Sequence, residues 1–219
     1  MTVVDIAAQP LGRLLPANTA KAFQTNLEEA GIRFALNTTV QTINKAGDDY
    51  QVTLTNGDSF IVDIVLSAIG LRPNLELAQS ADINTSRGIA VDVLLQTSQP
   101  DIYAIGDCAE VAGLLLPFVM PIMQQARALA KTLAGETTPV HYPAMPVAVK
   151  TPAAPLTVLP APVEVQVEWQ VEEFDDGMLA KAFDAEQVLR GFVLLGATAS
   201  KQRLILAKQV PDLIPASNT

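Results

Sequence analysis

The chain has 219 residues, a formal net charge of −9, 49% hydrophobic residues and 17% charged ones. The acidic balance argues against general nucleic-acid binding, which needs basic patches. A single cysteine, Cys108, excludes an internal disulfide and a redox cysteine pair, and a single histidine, His141, excludes a multi-histidine metal site.

The longest apolar runs, such as Leu114–Ile122, are broken by proline and fall short of the roughly 20 residues a membrane helix needs. The N-terminus has no basic region followed by an apolar one. A soluble cytoplasmic protein is the expectation, with neither nucleic acid nor membrane as a partner.

In chain order, the β-branched run Thr2–Ile6 predicts a strand with Asp5 near its end. Pro10–Pro16 predicts a loop. Asn18 or Thr19 can cap a helix running through Ala30, with Ala20, Phe23, Leu27 and Ala30 on one face and Gly31 closing it. Ile32–Leu36 predicts the next strand, and strand, helix and strand in this order imply a parallel βαβ crossover. Thr39–Ile43, Tyr50–Leu54 and Ser59–Val62 alternate as antiparallel strands, joined by turns at 46–49 and at Thr55-Asn56-Gly57-Asp58. Ile64–Ile69 predicts an apolar strand ending in Gly70, where the backbone can approach a neighbour closely. Leu75–Ser86 is irregular with some helical character, and Gly88–Asp92 predicts a short strand.

Next comes Thr97–Gly135. The strand-like run Ile102–Ile105 ends in Gly106 and Asp107. Gly106 removes a Cβ from the path of a ligand, and Asp107 offers two acceptor oxygens. Glu110–Val119 predicts a loop. Pro121 suits the first turn of a helix, with Ile122, Ala126, Leu129 and Leu133 as its buried stripe and Gln124, Gln125, Arg127 and Lys131 elsewhere. Seven prolines between 139 and 163 rule out regular helix and predict a connector, which carries Lys150. Val163–Trp169 alternates strictly with polar residues as a half-buried strand. Phe174–Gly177 turns the chain, Met178–Phe183 and Val188–Leu195 predict strands, and Ser200–Ala207 predicts a helix. This last part reads as a small α+β domain with Trp169 in its core.

The spacing of Thr97, Pro100, Ile102-Tyr103-Ala104 and Gly106-Asp107 resembles the second flavin-binding motif of the FAD-dependent pyridine nucleotide oxidoreductases. Ser67-Ala68-Ile69-Gly70 to Asn74 resembles the segment by which those enzymes pass from the NAD domain back to the FAD domain. Within the family, Asp107-Cys108-Ala109-Glu110, Leu116–Ile122 and Gln125-Ala126-Arg127 look closest to the rubredoxin reductase subgroup. The resemblance implies an α/β fold: incomplete NAD- and FAD-binding Rossmann-like domains over 1–70 and 71–150, then a small α+β domain over 151–219. It implies FAD and NAD as cofactors, with Asp107 on the ribityl chain and Gly106 beside it. Val119 and the helix from Pro121 would lie at the flavin ring. Gly70 would lie near cofactor or domain boundary, Lys150 near the flavin, and Asp5 on the adenosine ribose of NADH. NADH would pass a hydride to flavin N5, and the reduced flavin would give single electrons to rubredoxin or a similar small iron protein, with no catalytic acid, base or nucleophile from the protein. Cys108 reads as packing.

A dinucleotide fingerprint needs glycines two residues apart and a third three further on. The twelve glycines here never come closer than Gly191 and Gly196. On the resemblance, the chain therefore corresponds to the C-terminal part of a reductase, with both fingerprints upstream of Met1, and it is expected to purify without bound flavin. A ferredoxin- or nitrite-reductase-type relative and a non-catalytic binding fragment remain the alternatives.

Overall fold

A computed structural model describes residues 1–216. The chain begins with β1 (Thr2–Val4), α1 (Ala17–Glu29), β2 (Arg33–Ala35), β3 (Val40–Ala46), β4 (Asp49–Leu54) and β5 (Ser59–Val62). It continues through α2 (Glu76–Ser80), β6 (Ile89–Val91), β7 (Ala109–Val111), β8 (Leu114–Leu115) and α3 (Val119–Leu133). It closes with β9 (Val147–Val149), β10 (Leu156–Leu159), β11 (Glu168–Phe174), β12 (Gly177–Phe183), β13 (Leu189–Leu195), α4 (Ala197–Ser200) and α5 (Arg203–Ala207). Two compact units result: Met1–Ser67 with Pro146–Pro211, and Ala68–Met145 with the chain from Asp212 on. No helix of the described residues is long and apolar enough to cross a membrane.

In the first unit β1 and β2 pair in parallel across α1, as the crossover pattern demands. The helix starts after Pro16, whose extended backbone serves as N-cap without a side-chain hydrogen bond. Neither Asn18 nor Thr19 caps it; Thr19 is buried inside the first turn. Phe23 and Leu27 project from α1 onto Leu156, Val158, Ala180, Val193 and Leu195 of a five-stranded sheet ordered β11-β12-β13-β10-β9. At the start of β12 two backbones touch: a Cβ on Gly177 would lie 2.0 Å from the Leu195 carbonyl oxygen, so only glycine fits. β3, β4 and β5 form a separate antiparallel sheet with the Asn56-Gly57 turn where the sequence puts it.

Two expectations fail in this unit. The proline-rich stretch is more than a connector, because Pro155 and Pro160 bracket β10, a fully buried interior strand. Proline is tolerated just outside a strand and excluded only from its hydrogen-bonded interior. The alternating run from Val163 is not strand until Glu168, which pairs with Phe183, the last residue of β12. Beyond that pair β12 offers nothing to residues 163–167.

In the second unit β6 pairs in parallel with β7, and β7 turns back on β8. Part of the expected loop 110–119 is thus a small hairpin. Two expected strands are absent. Ile102–Ile105 makes a single bridge, Tyr103 to Gln96. Ile64–Ile69, which crosses from one unit into the other, is in no strand and bends at Ile69, which is 97% exposed. Apolar strands of this kind belong inside parallel sheets, with a neighbour on each side, and the described residues supply none.

Candidate functional site

The second unit builds one well-held polar turn. Gly106 takes φ +92°, a conformation that favours glycine, and a Cβ there would meet nothing within 4 Å. Its N–H donates to Gln125 Oε1 at 2.6 Å, and its carbonyl accepts from the Ala109 N–H at 3.1 Å. On the far side of the turn the Cys108 carbonyl accepts from the Ile89 N–H at 2.7 Å. Gly88 makes that approach possible, since a Cβ there would lie 2.7 Å from the Cys108 oxygen. Glu110, only 7% exposed, turns its carboxylate back to accept from the Gly88 N–H at 2.9 Å. The turn is therefore gripped from α3 and from β6 together.

Asp107 sits at its tip, exposed, and its carboxylate makes no side-chain hydrogen bond within the described residues. Such an acid is free to accept hydrogen bonds from the hydroxyls of a polyol. Cys108 is half-buried, and its thiol donates to the Ile105 carbonyl at 3.7 Å.

α3 begins at Val119, two residues earlier than Pro121 suggests, after an extended Phe118 and without a side-chain cap. Its first N–H groups are left for solvent or ligand and carry the positive end of the helix dipole. Val119 is exposed, and Pro121 is buried in the first turn, where its missing N–H costs little. The buried face is Pro121, Gln125 and Ala128. Ala126 and Leu133, expected inside, are exposed. A polar residue is held on this face because its amide meets two partners. Its Oε1 takes the Gly106 N–H, and its Nε2 donates to the Tyr142 hydroxyl at 2.7 Å. Gln125 is 1% exposed and Tyr142 0%. Burial pushes the Tyr142 phenol above its ordinary value, and the bond from Gln125 offsets part of that rise.

Of the sequence candidates, Gly106, Asp107, Val119 and Pro121 thus fall in one unit, with Gln125 bonding α3 to the turn. Gly70 lies in the same unit, exposed, with φ +98° and open space around it. Asp5 and Lys150 belong to the other unit. Asp5 uses Oδ1 to accept from the Ala7 N–H at 2.9 Å, a local turn contact that leaves Oδ2 available. Lys150 is exposed and in no ion pair among the described residues. Gln125, Tyr142, Gly88 and Glu110 were not candidates from the sequence, because their partners are distant in the chain.

Comparison with known proteins places the whole chain. The profile of the pyridine nucleotide-disulphide oxidoreductases matches residues 1–132, and that of a rubredoxin binding C-terminal domain matches residues 139–210. The chain is 70% identical over 218 residues to a rubredoxin-NAD(+) reductase of Acinetobacter baylyi, covering 99% of this chain and 56% of that protein. It is 42% identical to the protein of that name from Alcanivorax borkumensis, over 94% of this chain and 55% of that protein. The chain thus spans about half the length of the curated relatives it matches. Among solved structures, a ferredoxin reductase from Rhodopseudomonas palustris superposes with a TM-score of 0.83 at 26% identity, over 96% of this chain and 54% of that one. With its crossover, its clamped Gly-Asp turn and a family profile matching residues 1–132, this chain belongs to the pyridine nucleotide-disulphide oxidoreductase family.

Proposed function

We propose that the chain is part of an FAD-dependent reductase that carries electrons from NADH to rubredoxin, and that Gly106–Asp107 and the start of α3 are its contribution to the flavin site. The observation that carries this reading is the Asp107 carboxylate: exposed, with no side-chain hydrogen bond among the described residues, on a turn gripped from two sides. These residues suit the polyol and ring end of the cofactor. A flavin, when bound, supplies the redox chemistry, exchanging a hydride equivalent with the nicotinamide and single electrons with an iron centre.

The chain's own residues bind and orient. Asp107 accepts from the ribityl hydroxyls, and Gly106 lets the backbone come close. The uncapped turn from Val119 to Pro121 offers N–H donors and partial positive charge to the electron-rich edge of the ring. Gly70, Lys150 and Asp5 are the lesser members of the assignment: a close-approach glycine, a free cation near the flavin, and an acceptor whose remaining oxygen would take a ribose of NADH. The acid leans toward NADH because it would repel a 2′-phosphate. We keep the assignment of 1–70 to an NAD domain, 71–150 to an FAD domain and 151–219 to a C-terminal domain, in a cytoplasmic protein. Rubredoxin is preferred to ferredoxin as acceptor on the strength of the profile over 139–210 and the 70% identical relative.

The test is flavin fluorescence polarisation on titrating FAD with the chain and with its Asp107→Ala variant. The variant should bind at least about tenfold more weakly, as expected for loss of hydrogen bonds to a charged acceptor. Equal binding by both would sink the assignment of Asp107.

A further inference from the structure

We infer that the helical run 197–208 is the surface on which the C-terminal domain receives its electron-transfer partner, and that the partner meets it with an apolar centre ringed by carboxylates. This rests on rubredoxin being the partner.

α4 and α5 are nearly continuous, since Lys201 (φ −63°, ψ −23°) and Gln202 (φ −85°, ψ −6°) keep right-handed helical backbone between them. Lys201, Leu204, Ile205 and Lys208 then share one face at successive helical spacings of three and four. Ala199 and Leu206 face inward and are buried. Leu204 is 67% exposed and Ile205 62%, adjacent aliphatics left bare on the same helix. Lys201 and Lys208 flank them and Arg203 precedes them at the start of α5, all exposed and none in an ion pair among the described residues. Residues 197–210 hold three cations and no acid, in a chain whose net charge is −9.

Local charge opposite to the global charge, set around an apolar centre, is what steers an acidic partner onto one face and holds it there. The patch lies within the 139–210 match to the rubredoxin binding domain. A membrane surface is the poorer fit, because interfacial helices present a broad apolar face and here only two aliphatic side chains are offered.

Isothermal titration of the full 219-residue chain with a bacterial rubredoxin decides the matter. Affinity of the unaltered chain should fall as salt rises from about 20 to 200 mM, because exposed charges are screened over that range. The triple variant Lys201→Glu, Arg203→Glu, Lys208→Glu should bind about tenfold or more weakly and lose the salt dependence. Leu204→Ser with Ile205→Ser should weaken binding and keep the salt dependence. Lys45→Glu, on the β3–β4 hairpin, should change little. Circular dichroism melts confirm that each variant folds. Rubredoxin binding by the unaltered chain that the triple variant matches overturns the patch and leaves the partner standing. No rubredoxin binding by the unaltered chain, or binding only to phosphatidylglycerol vesicles, overturns both.

Discussion

Replacing Gln125 by Leu would test how the Gly-Asp turn is held. Leucine is close to glutamine in volume, so the core of α3 stays filled while both amide bonds vanish. The Tyr142 hydroxyl, 0% exposed, would lose its 2.7 Å partner, and the Gly106 N–H would lose its 2.6 Å acceptor. An unmet buried group costs about 1–3 kcal/mol. Gly106 is only part-buried, so water can take up some of its loss, and burying the glutamine amide no longer has to be offset. The net destabilisation should be about 2–3 kcal/mol. Tyr142→Phe leaves only the Gln125 Nε2 unmet and should cost about 1–2 kcal/mol. Because the two share a bond, their effects should fall short of additive in a double-mutant cycle. Urea unfolding gives the energies, and hydrogen exchange at the Gly106 amide reports the turn itself. A Gln125→Leu protein within about 0.5 kcal/mol of the unaltered one, with Gly106 exchange unchanged, would refute the clamp.

Two further outcomes follow from the same physics. Since the folded-state pKa of Tyr142 is raised above its unfolded value near 10, the stabilisation from keeping it neutral is complete below pH 10 and lost as pH rises from there through the folded value; Tyr142→Phe should remove that alkaline loss in urea melts taken at increasing pH. Gly177→Ala would put a methyl 2.0 Å from the Leu195 carbonyl and should cost about 3 kcal/mol or more by thermal melt, whereas Gly106→Ala, with no atom within 4 Å, should cost only the about 1–2 kcal/mol of its positive φ.

Local signals carried the sequence reading wherever the chain pairs with its near neighbours. The Asn56-Gly57 turn and the strands β12 and β13 follow from period and turn chemistry, because each strand pairs with a near neighbour in the chain; the helix α1 follows from its apolar period alone, although the surface it covers lies far along the sequence. Ile64–Ile69 and Ile102–Ile105 misled because their apolar composition is that of strands lying between two others, and composition says nothing about whether those others are present. β10 was hidden by the prolines that bracket it. At the site, Gly106 could be read from the motif, since the turn puts a glycine at φ +92°, whereas the part given to Asp107 comes from the family resemblance and not from anything its carboxylate holds within the turn. Gln125 and Tyr142 could not, because they answer groups 19 and 17 residues away, and a polar residue buried to serve a distant partner looks, in sequence, like any surface glutamine.

The claim that Gly106–Asp107 and the start of α3 receive the flavin is tested most directly by titrating the isotopically labelled chain with FAD and following backbone amide resonances. The account predicts shifts concentrated at Gly106, Asp107, Cys108, Val119 and Met120, lost in Asp107→Ala while the rest of the spectrum is kept. Shifts clustered elsewhere, or unchanged by Asp107→Ala, would contradict it.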